Sequence, residues 1–196
     1  MSGGPETQEV VLVRHGETEW SRSGRHTGRT DIPLSDQGRK DAARVGAILR
    51  PRRLALVLTS PLSRATETCR IAGLGEEAHV REELREWDYG AYEGRTTLEI
   101  RRQVPGWSVW TGQVPDGESV QEVSARADRV LGEIRSTEGD VAIFAHGHLI
   151  RVLTARWLGL PPQDGRLFAL DTATVSVLGY ERETPVIRSW NQPVFS

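Results

Sequence analysis

The sequence predicts an α/β fold, a three-layer α/β/α sandwich with a mostly parallel central sheet. Three short runs, Val10-Val11-Leu12-Val13, Leu54-Ala55-Leu56-Val57-Leu58 and Val141-Ala142-Ile143-Phe144-Ala145, have the continuous apolar character of strands buried on both faces. Each is followed by a turn marked by Gly or Pro and then by a stretch with helical spacing, the alternation that builds a parallel sheet covered by helices. The 196 residues suffice for one domain with a sizeable core, and no repeat, low-complexity block or linker divides them.

Met1 to Thr7, with Gly3-Gly4-Pro5, reads as a frayed tail before a first strand over Glu9 to Val13. Arg14-His15-Gly16 turns at the strand's end, and Glu17 to Pro33, rich in Gly, Arg and Thr without a period, is expected to be a long loop over the strand ends. Ser35 caps a helix over Asp36 to Leu49 that presents Ala42, Val45, Ile48 and Leu49 on one face and stops at Pro51. After the second strand, Thr59-Ser60-Pro61 offers an N-cap and a Pro at the first position of a helix over Leu62 to Ala72, ended by Gly73. A short strand is expected around His79-Val80, and Leu84-Arg85-Glu86-Trp87 leads into a Gly-broken loop from Asp88 to Gly94. Thr96 with Glu99, and Ser119 with Glu122, have capping-box spacing. The second box opens the clearest helix, with Val120, Val123, Ala127, Val130, Leu131 and Ile134 on one face, while Trp107 to Gly117 reads as a loop or helical turn. An apolar helix over Leu149 to Leu158 follows the third strand. Leu167 to Leu170, Thr174 to Tyr180 and Val186 to Trp190 are then expected as strands closing one side of the sheet, with antiparallel pairs among them.

A formal net charge of −2 gives no basic field for nucleic acid, and the arginines are balanced by Asp and Glu along the chain, so a small molecule is the expected partner. Cys69 is the only cysteine, which leaves no intramolecular disulfide and no Cys/His zinc cluster, and it reads as a small buried hydrophobe. The N-terminus lacks an apolar signal core and no apolar run approaches the roughly 20 residues of a membrane span, so a cytoplasmic, membrane-free, metal-independent protein without cofactors is expected. A homo-oligomer is compatible with the sequence and not specified by it.

In open α/β sheets ligands bind just beyond the carboxyl ends of the strands. Here those ends carry Arg14-His15-Gly16, Thr59-Ser60-Pro61 with Arg64 a few residues on, and His146-Gly147-His148, so one sheet edge gathers two arginines and two histidines. A tetrahedral anion explains the combination, because guanidinium groups give phosphate oxygens charge-assisted bonds and keep their charge near neutral pH.

The ordered motifs resemble the histidine phosphatase superfamily, which includes the cofactor-dependent phosphoglycerate mutases and many acid phosphatases. Arg14-His15-Gly16-Glu17-Thr18 is similar to the family signature, and His26-Thr27-Gly28 with Asp31-Ile32-Pro33-Leu34-Ser35 is similar to its following loop. Ser60-Pro61-Leu62-Ser63-Arg64-Ala65-Thr66-Glu67-Thr68 resembles its second Arg motif, Leu84-Arg85-Glu86-Trp87-Asp88-Tyr89-Gly90 with Tyr92-Glu93-Gly94 its acid loop, and Ala145-His146-Gly147-His148 its second His motif. The resemblance implies a phosphoglycerate mutase-like fold and phosphoryl transfer in two steps, with His15 as nucleophile and a phosphohistidine later hydrolysed by water. Arg14 and Arg64 would bind the phosphoryl group and favour neutral His15, and His146 would complete the donors around its equatorial oxygens. Glu86, at the family's acid position, would protonate the leaving oxygen and then deprotonate water, with a pKa raised toward the working range. Thr18, Ser21, Thr27 and Gly28 are implied as donors at the pocket rim, and Tyr89, Gly147 and His148 complete the implied substrate-binding set.

Departures from the mutase pattern narrow the expectation. Ser21 and His148 stand where mutases commonly carry Asn, and Thr97 and Thr111-Gly112 occupy the best-matching positions of their carboxylate clamp, although Arg101 and Arg102 could approach from another register. The Trp-Asp-Tyr-Gly-x-Tyr-Glu-Gly string resembles a branch with acid phosphatases and sedoheptulose-bisphosphatase-like enzymes. The leading expectation is a metal-independent phosphatase for monoesters of small metabolites, sugar phosphates among them. The alternatives are a phosphoglycerate mutase and a non-catalytic phosphate-ligand or protein-binding module, which would be expected to have lost His15 or Glu86. Glu17 and Glu93 are read as loop residues outside catalysis, His26 and His148 as rim or supporting residues, and Trp87, Trp107 and Trp110 as packing.

Overall fold

The computed structural model describes residues 8–194; the tail expected over Met1 to Thr7 lies outside them. Its elements run β1 (Val10–Arg14), α1 (Glu19–Ser23), α2 (Asp36–Leu49), β2 (Leu54–Thr59), α3 (Ser63–Ile71), β3 (Ala78–Val80), α4 (Thr97–Gln103), α5 (Val120–Arg135), β4 (Asp140–Ala145), α6 (Gly147–Trp157), β5 (Thr174–Glu181) and β6 (Thr184–Pro193). The six strands form one sheet in the order β3-β2-β4-β1-β5-β6. The four strands from β3 to β1 pair in parallel, and β5 and β6 add antiparallel pairs, so the α/β sandwich with a mostly parallel sheet is the observed architecture.

Alternation along the strands assigns the helices to the two faces. Val10 and Leu12 of β1, Leu58 of β2 and Ile143 of β4 are buried together with Val123, Ala127, Val130 and Leu131 of α5 and Leu149, Val152 and Leu153 of α6. Val11, Val13, Val57, Ala142 and Phe144 face the other way and pack on Val45 and Leu49 of α2 and Cys69 of α3. Ile48, expected on the buried face of α2, is 40% exposed instead; the apolar stripe that covers the sheet runs through Ala42, Val45, Gly46 and Leu49. Among the described residues no helix is long and apolar enough to cross a membrane.

Three further expectations change. The stretch Glu17 to Pro33 contains α1, whose N-cap Thr18 and N3 residue Ser21 form a reciprocal capping box. Pro61 does not begin α3; Leu62 is the N-cap, without a side-chain cap, and Ser63 opens the helix. Leu167 to Leu170 is not a strand; its carbonyls bond side chains instead of a neighbouring strand. Pro162–Leu167 forms a 3-10 turn, and the carbonyls of Ala169 and Leu170 accept from Trp190 Nε1 and Arg14 Nη1.

Candidate active site

Register brings the motifs together before any side chain is considered. Arg14 lies opposite Ala145 across the β1–β4 pair and Thr59 opposite Phe144 across the β2–β4 pair, so His15, His146 and Ser60 are the residues that leave three neighbouring strands. Backbone bonds continue the ladder by one residue, His15 N–H to the Ala145 carbonyl and Ser60 N–H to the Phe144 carbonyl, both at 3.0 Å. The His15 and His146 rings consequently lie 5.1 Å apart.

His15 is buried, and its Nδ1 lies 2.7 Å from the carbonyl oxygen of Gly16, which only a protonated Nδ1 satisfies. Burial, then the charges of Arg64 and Arg14, pushes its pKa well below the ordinary imidazole range. The ring is therefore neutral with its lone pair on Nε2. The neighbouring Arg14 spends Nη1 on the Leu170 carbonyl at 2.5 Å, while its Nε is buried without a partner among the described residues. A buried N–H of a cation without an acceptor is costly, and a negatively charged ligand would satisfy it. Gly147 provides the space for this guanidinium, since a Cβ there would stand 3.3 Å from Arg14 Cζ.

Arg64 is fully buried, makes four hydrogen bonds to neutral acceptors, and has the Asp31 carboxylate 3.9 Å from Nη1. Nη1 bonds the Thr30 carbonyl, Nη2 the carbonyls of Thr27 and Gly28, and Nε donates to His146 Nδ1 at 3.2 Å. That last bond fixes the tautomer of His146: Nδ1 accepts, so Nε2 carries the proton and donates it to Ser60 Oγ at 2.7 Å. Burial and then Arg64 hold His146 neutral. Ser60, which the strand-turn pattern assigned to a helix cap, accepts from the Leu62 N–H at 3.3 Å and is also the acceptor that completes an Arg64–His146–Ser60 chain. Its position directly after a buried strand, at the level of both histidines, was the sequence signal for that role.

Glu86 reaches the site from the acid loop and sits over the amino end of α6. Oε1 accepts from the N–H groups of Trp87 at 2.9 Å and Leu149 at 3.0 Å, and Oε2 from that of His148 at 3.0 Å. The helix end and its free N–H groups suit a carboxylate, and Oε2, with one donor, retains an open position. The adjacent Tyr89 is raised well above the usual phenol range by burial first and then by Glu86, so it keeps its proton, and its hydroxyl is hydrogen-bonded with Nδ1 of His148 at 2.6 Å. His148 is held neutral by burial first and then by Arg151.

A cavity of about 500 Å³ is lined by Arg14, His15, Ser21, Thr27, Glu86, Tyr89, Gly147 and His148 of the expected set. Thr18, Gly28, Arg64 and His146 are not in its lining: Thr18 is buried as the cap of α1, while Arg64 holds the carbonyls of Thr27 and Gly28 from behind. Glu93 supports the same loop through bonds from the N–H groups of Gly28 and Thr30 to Oε1, and Glu17 accepts from Ser35 Oγ, in keeping with their reading as loop residues. Trp87, Trp107 and Trp110 are buried, and Cys69 is buried with its thiol pushed up to about 12 by burial and then by Glu77. The charged pocket residues that the motifs did not bring forward are Arg25, Arg151 and Arg166, together with Arg101, whose place was open.

Comparison with known proteins agrees with this geometry. The model of the histidine phosphatase superfamily (branch 1) matches residues 10–193. An acid phosphatase of Mycobacterium tuberculosis is 42% identical over 182 residues, covering 91% of this chain and 89% of its own. The sedoheptulose 1,7-bisphosphatase of Saccharomyces cerevisiae is 35% identical over 189 residues, covering 80% of this chain and 70% of its own. A solved structure of an open reading frame product from Mycobacterium tuberculosis superposes with a TM-score of 0.90 at 39% identity, covering 96% of this chain and 100% of that one. The chain belongs to branch 1 of the histidine phosphatase superfamily.

Proposed function

We propose that the chain is a phosphatase that hydrolyses monoesters of small metabolites, sugar phosphates in particular, through a phosphohistidine. The observation that carries the proposal is the unpartnered, buried Arg14 Nε beside a histidine whose Nε2 lone pair is free. An anion in the cavity would satisfy the first and present its phosphorus to the second. The names of the two relatives, an acid phosphatase and a sugar bisphosphatase, support the same class of substrate.

In the first step His15 Nε2 attacks phosphorus, the bond from phosphorus to the ester oxygen breaks, and Glu86 delivers a proton from Oε2 to the departing alkoxide. In the second, Glu86 takes a proton from water as the water oxygen attacks phosphorus. The phosphorus–nitrogen bond breaks and its electron pair returns to His15. The Gly16 carbonyl, as acceptor for Nδ1–H, steadies the ring while positive charge develops on it. Arg14 neutralises the transferring oxygens, and His146 and Arg64 fix the wall behind them; a single donor to such oxygens contributes roughly 3 kcal/mol.

Brief incubation with a ³²P-labelled sugar phosphate followed by alkaline quench tests the mechanism, because phosphohistidine survives alkali. The wild type should carry label and release phosphate with and without chelator, and His15→Ala should do neither. Label retained in His15→Ala, or turnover lost with chelator, would overturn it.

A further inference from the structure

We infer that Arg126 of α5 and Glu118, directly before the N-cap of that helix, are positioning residues for Glu86, aligning its carboxylate with the leaving oxygen without touching substrate. The inference deepens the phosphatase reading and rests on it for the role of Glu86 as general acid. Neither Arg126 nor Glu118 lines the cavity that holds His15. Both act through the backbone of the segment that carries Glu86.

A guanidinium has five N–H donors, and Arg126 spends all five. Nε and Nη2 hold Glu118 Oε1 and Oε2 at 2.7 and 2.8 Å, a bidentate pair. Nη1 reaches the carbonyls of Glu83 at 2.7 Å and Arg85 at 2.8 Å, and Nη2 also reaches the carbonyl of Glu86 itself at 3.2 Å. Glu118 takes hold of the chain on the other side of Glu86. Its Oε2 accepts from the Asp88 N–H at 2.9 Å, its carbonyl accepts from Trp87 Nε1 at 2.8 Å, and its own N–H donates to the Asp88 carbonyl at 3.0 Å. One ion pair thus grips the backbone immediately before and immediately after the acid. The pair is mounted at the start of α5, which opens with the capping box of Ser119 and Glu122, so a rigid element carries the grip.

Behind the acid, a separate cavity of about 190 Å³ is lined by Gly28, Leu62 and otherwise charged residues, Glu118 and Arg126 among them. Polar bonds rather than apolar packing therefore hold the loop on that side. The N–H groups of Trp87, His148 and Leu149 fix the Glu86 oxygens only while the Glu86 backbone keeps its place relative to α6. A displacement of about 1 Å at a reacting group costs about 100-fold in rate, so the grip bears directly on proton delivery.

Phenyl phosphate against 2,4-dinitrophenyl phosphate tests the role, because dinitrophenolate departs without a proton and phenolate departs faster with one. The quantity read is kcat/KM, which ends at the departure of the leaving group and excludes the later attack of water. Glu86→Gln should lower it about 100-fold or more for phenyl phosphate and much less for the dinitrophenyl ester. Glu118→Gln and Arg126→Met should shift the ratio of the two values in the same direction, about tenfold or more. Arg126→Lys, which keeps the charge with three donors in place of five, should recover part of that ratio. Melting curves set the assay below the unfolding of each variant, and Glu118→Gln, which retains an acceptor oxygen for Arg126, guards against an Arg126 variant that fails to fold. Equal losses for the two esters in Glu118→Gln and in each folded Arg126 variant would mark a merely structural pair and overturn the positioning. Equal losses in Glu86→Gln would instead overturn the acid role on which it rests, and absence of phosphate release from both esters by the wild type would overturn the phosphatase reading.

Discussion

Ser60 shows how one hydroxyl can set the chemistry of a site it does not line. Arg64 donates to one nitrogen of His146 and Ser60 accepts from the other, so the imidazole has a single tautomer compatible with its surroundings. Ser60→Ala removes the acceptor and leaves a buried N–H with no partner, a loss of roughly 1–3 kcal/mol in stability. It also lets the ring turn, and kcat should fall about tenfold, equivalent to roughly 1.4 kcal/mol in the barrier. The hydrogen-bonded Nε2 proton resonance of His146 should disappear in Ser60→Ala and remain in Ser60→Thr. A lowered kcat with that resonance intact would contradict a positioning role. Arg64 has the same logic on a larger scale, since it orders the Thr27–Thr30 backbone while it fixes His146.

Elements meet at this site by backbone approach as much as by side chains. A Cβ on Gly38 of α2 would stand 2.2 Å from the Glu17 carbonyl oxygen, and one on Gly16 would stand 2.4 Å from the carbonyl oxygen of Gly38. The turn carrying His15 is therefore seated directly on the first turn of α2. Helix propensity favours Ala over Gly by about 1 kcal/mol, and at Gly132 in α5, where nothing lies within 4 Å, that preference decides the outcome. Gly132→Ala should stabilise by up to about 1 kcal/mol, whereas Gly38→Ala should destabilise by roughly 1–3 kcal/mol and lower turnover, as overpacking outweighs propensity. Chemical denaturation of both variants, with phosphate release, measures the contrast; equal stabilisation would refute the close packing. This is also where sequence reading reaches its limit. Apolar runs specified β1, β2 and β4 and capping spacing specified α4 and α5, because those signals are local. The failed strand at Leu167 to Leu170 depended on carbonyls taken up by the Arg14 and Trp190 side chains, and α1 on a Thr18–Ser21 reciprocity whose second member is not the usual Glu or Gln. Likewise the motifs brought His15 and Glu86 into one cavity, but the bonds that orient Arg101 and Arg151 come from carbonyls of the segments that follow α4 and α6.

At the scale of the whole molecule, the site is a concentration of neutral imidazoles inside a fold whose unfolded chain would protonate them. Burial is the first cause of the downward shift at His15, His26, His146 and His148, and for His26 it reaches about 4. An unfolded histidine titrates near 6.5, so below that pH the unfolded state binds more protons than the folded one, and stability rises with pH. The contribution of His26 is fully present above about pH 6.5 and is lost as the pH falls toward 4. That single ring costs on the order of 2 kcal/mol at pH 5, or roughly 4–8 °C in melting temperature for a chain of this size. The buried rings of the site act in the same direction. Glu133, lowered by its hydrogen bond from Arg81, adds a loss of the same sign at lower pH. Melting curves should therefore fall steeply between pH 7 and pH 5, before the carboxylates titrate, and His26→Gln should flatten the slope in that interval. A melting temperature constant from pH 7 to 5 would show that the rings take up protons in the folded state. Because the proposed nucleophile keeps its lone pair below the pH at which a free imidazole would lose it, the acid limit of turnover should follow the unfolding of the molecule more closely than the titration of His15. Phosphate release measured at temperatures well below each melting point separates the two, since activity lost with a half-point near 6.5 in a fully folded sample would place an ordinary, solvent-exposed imidazole at the site.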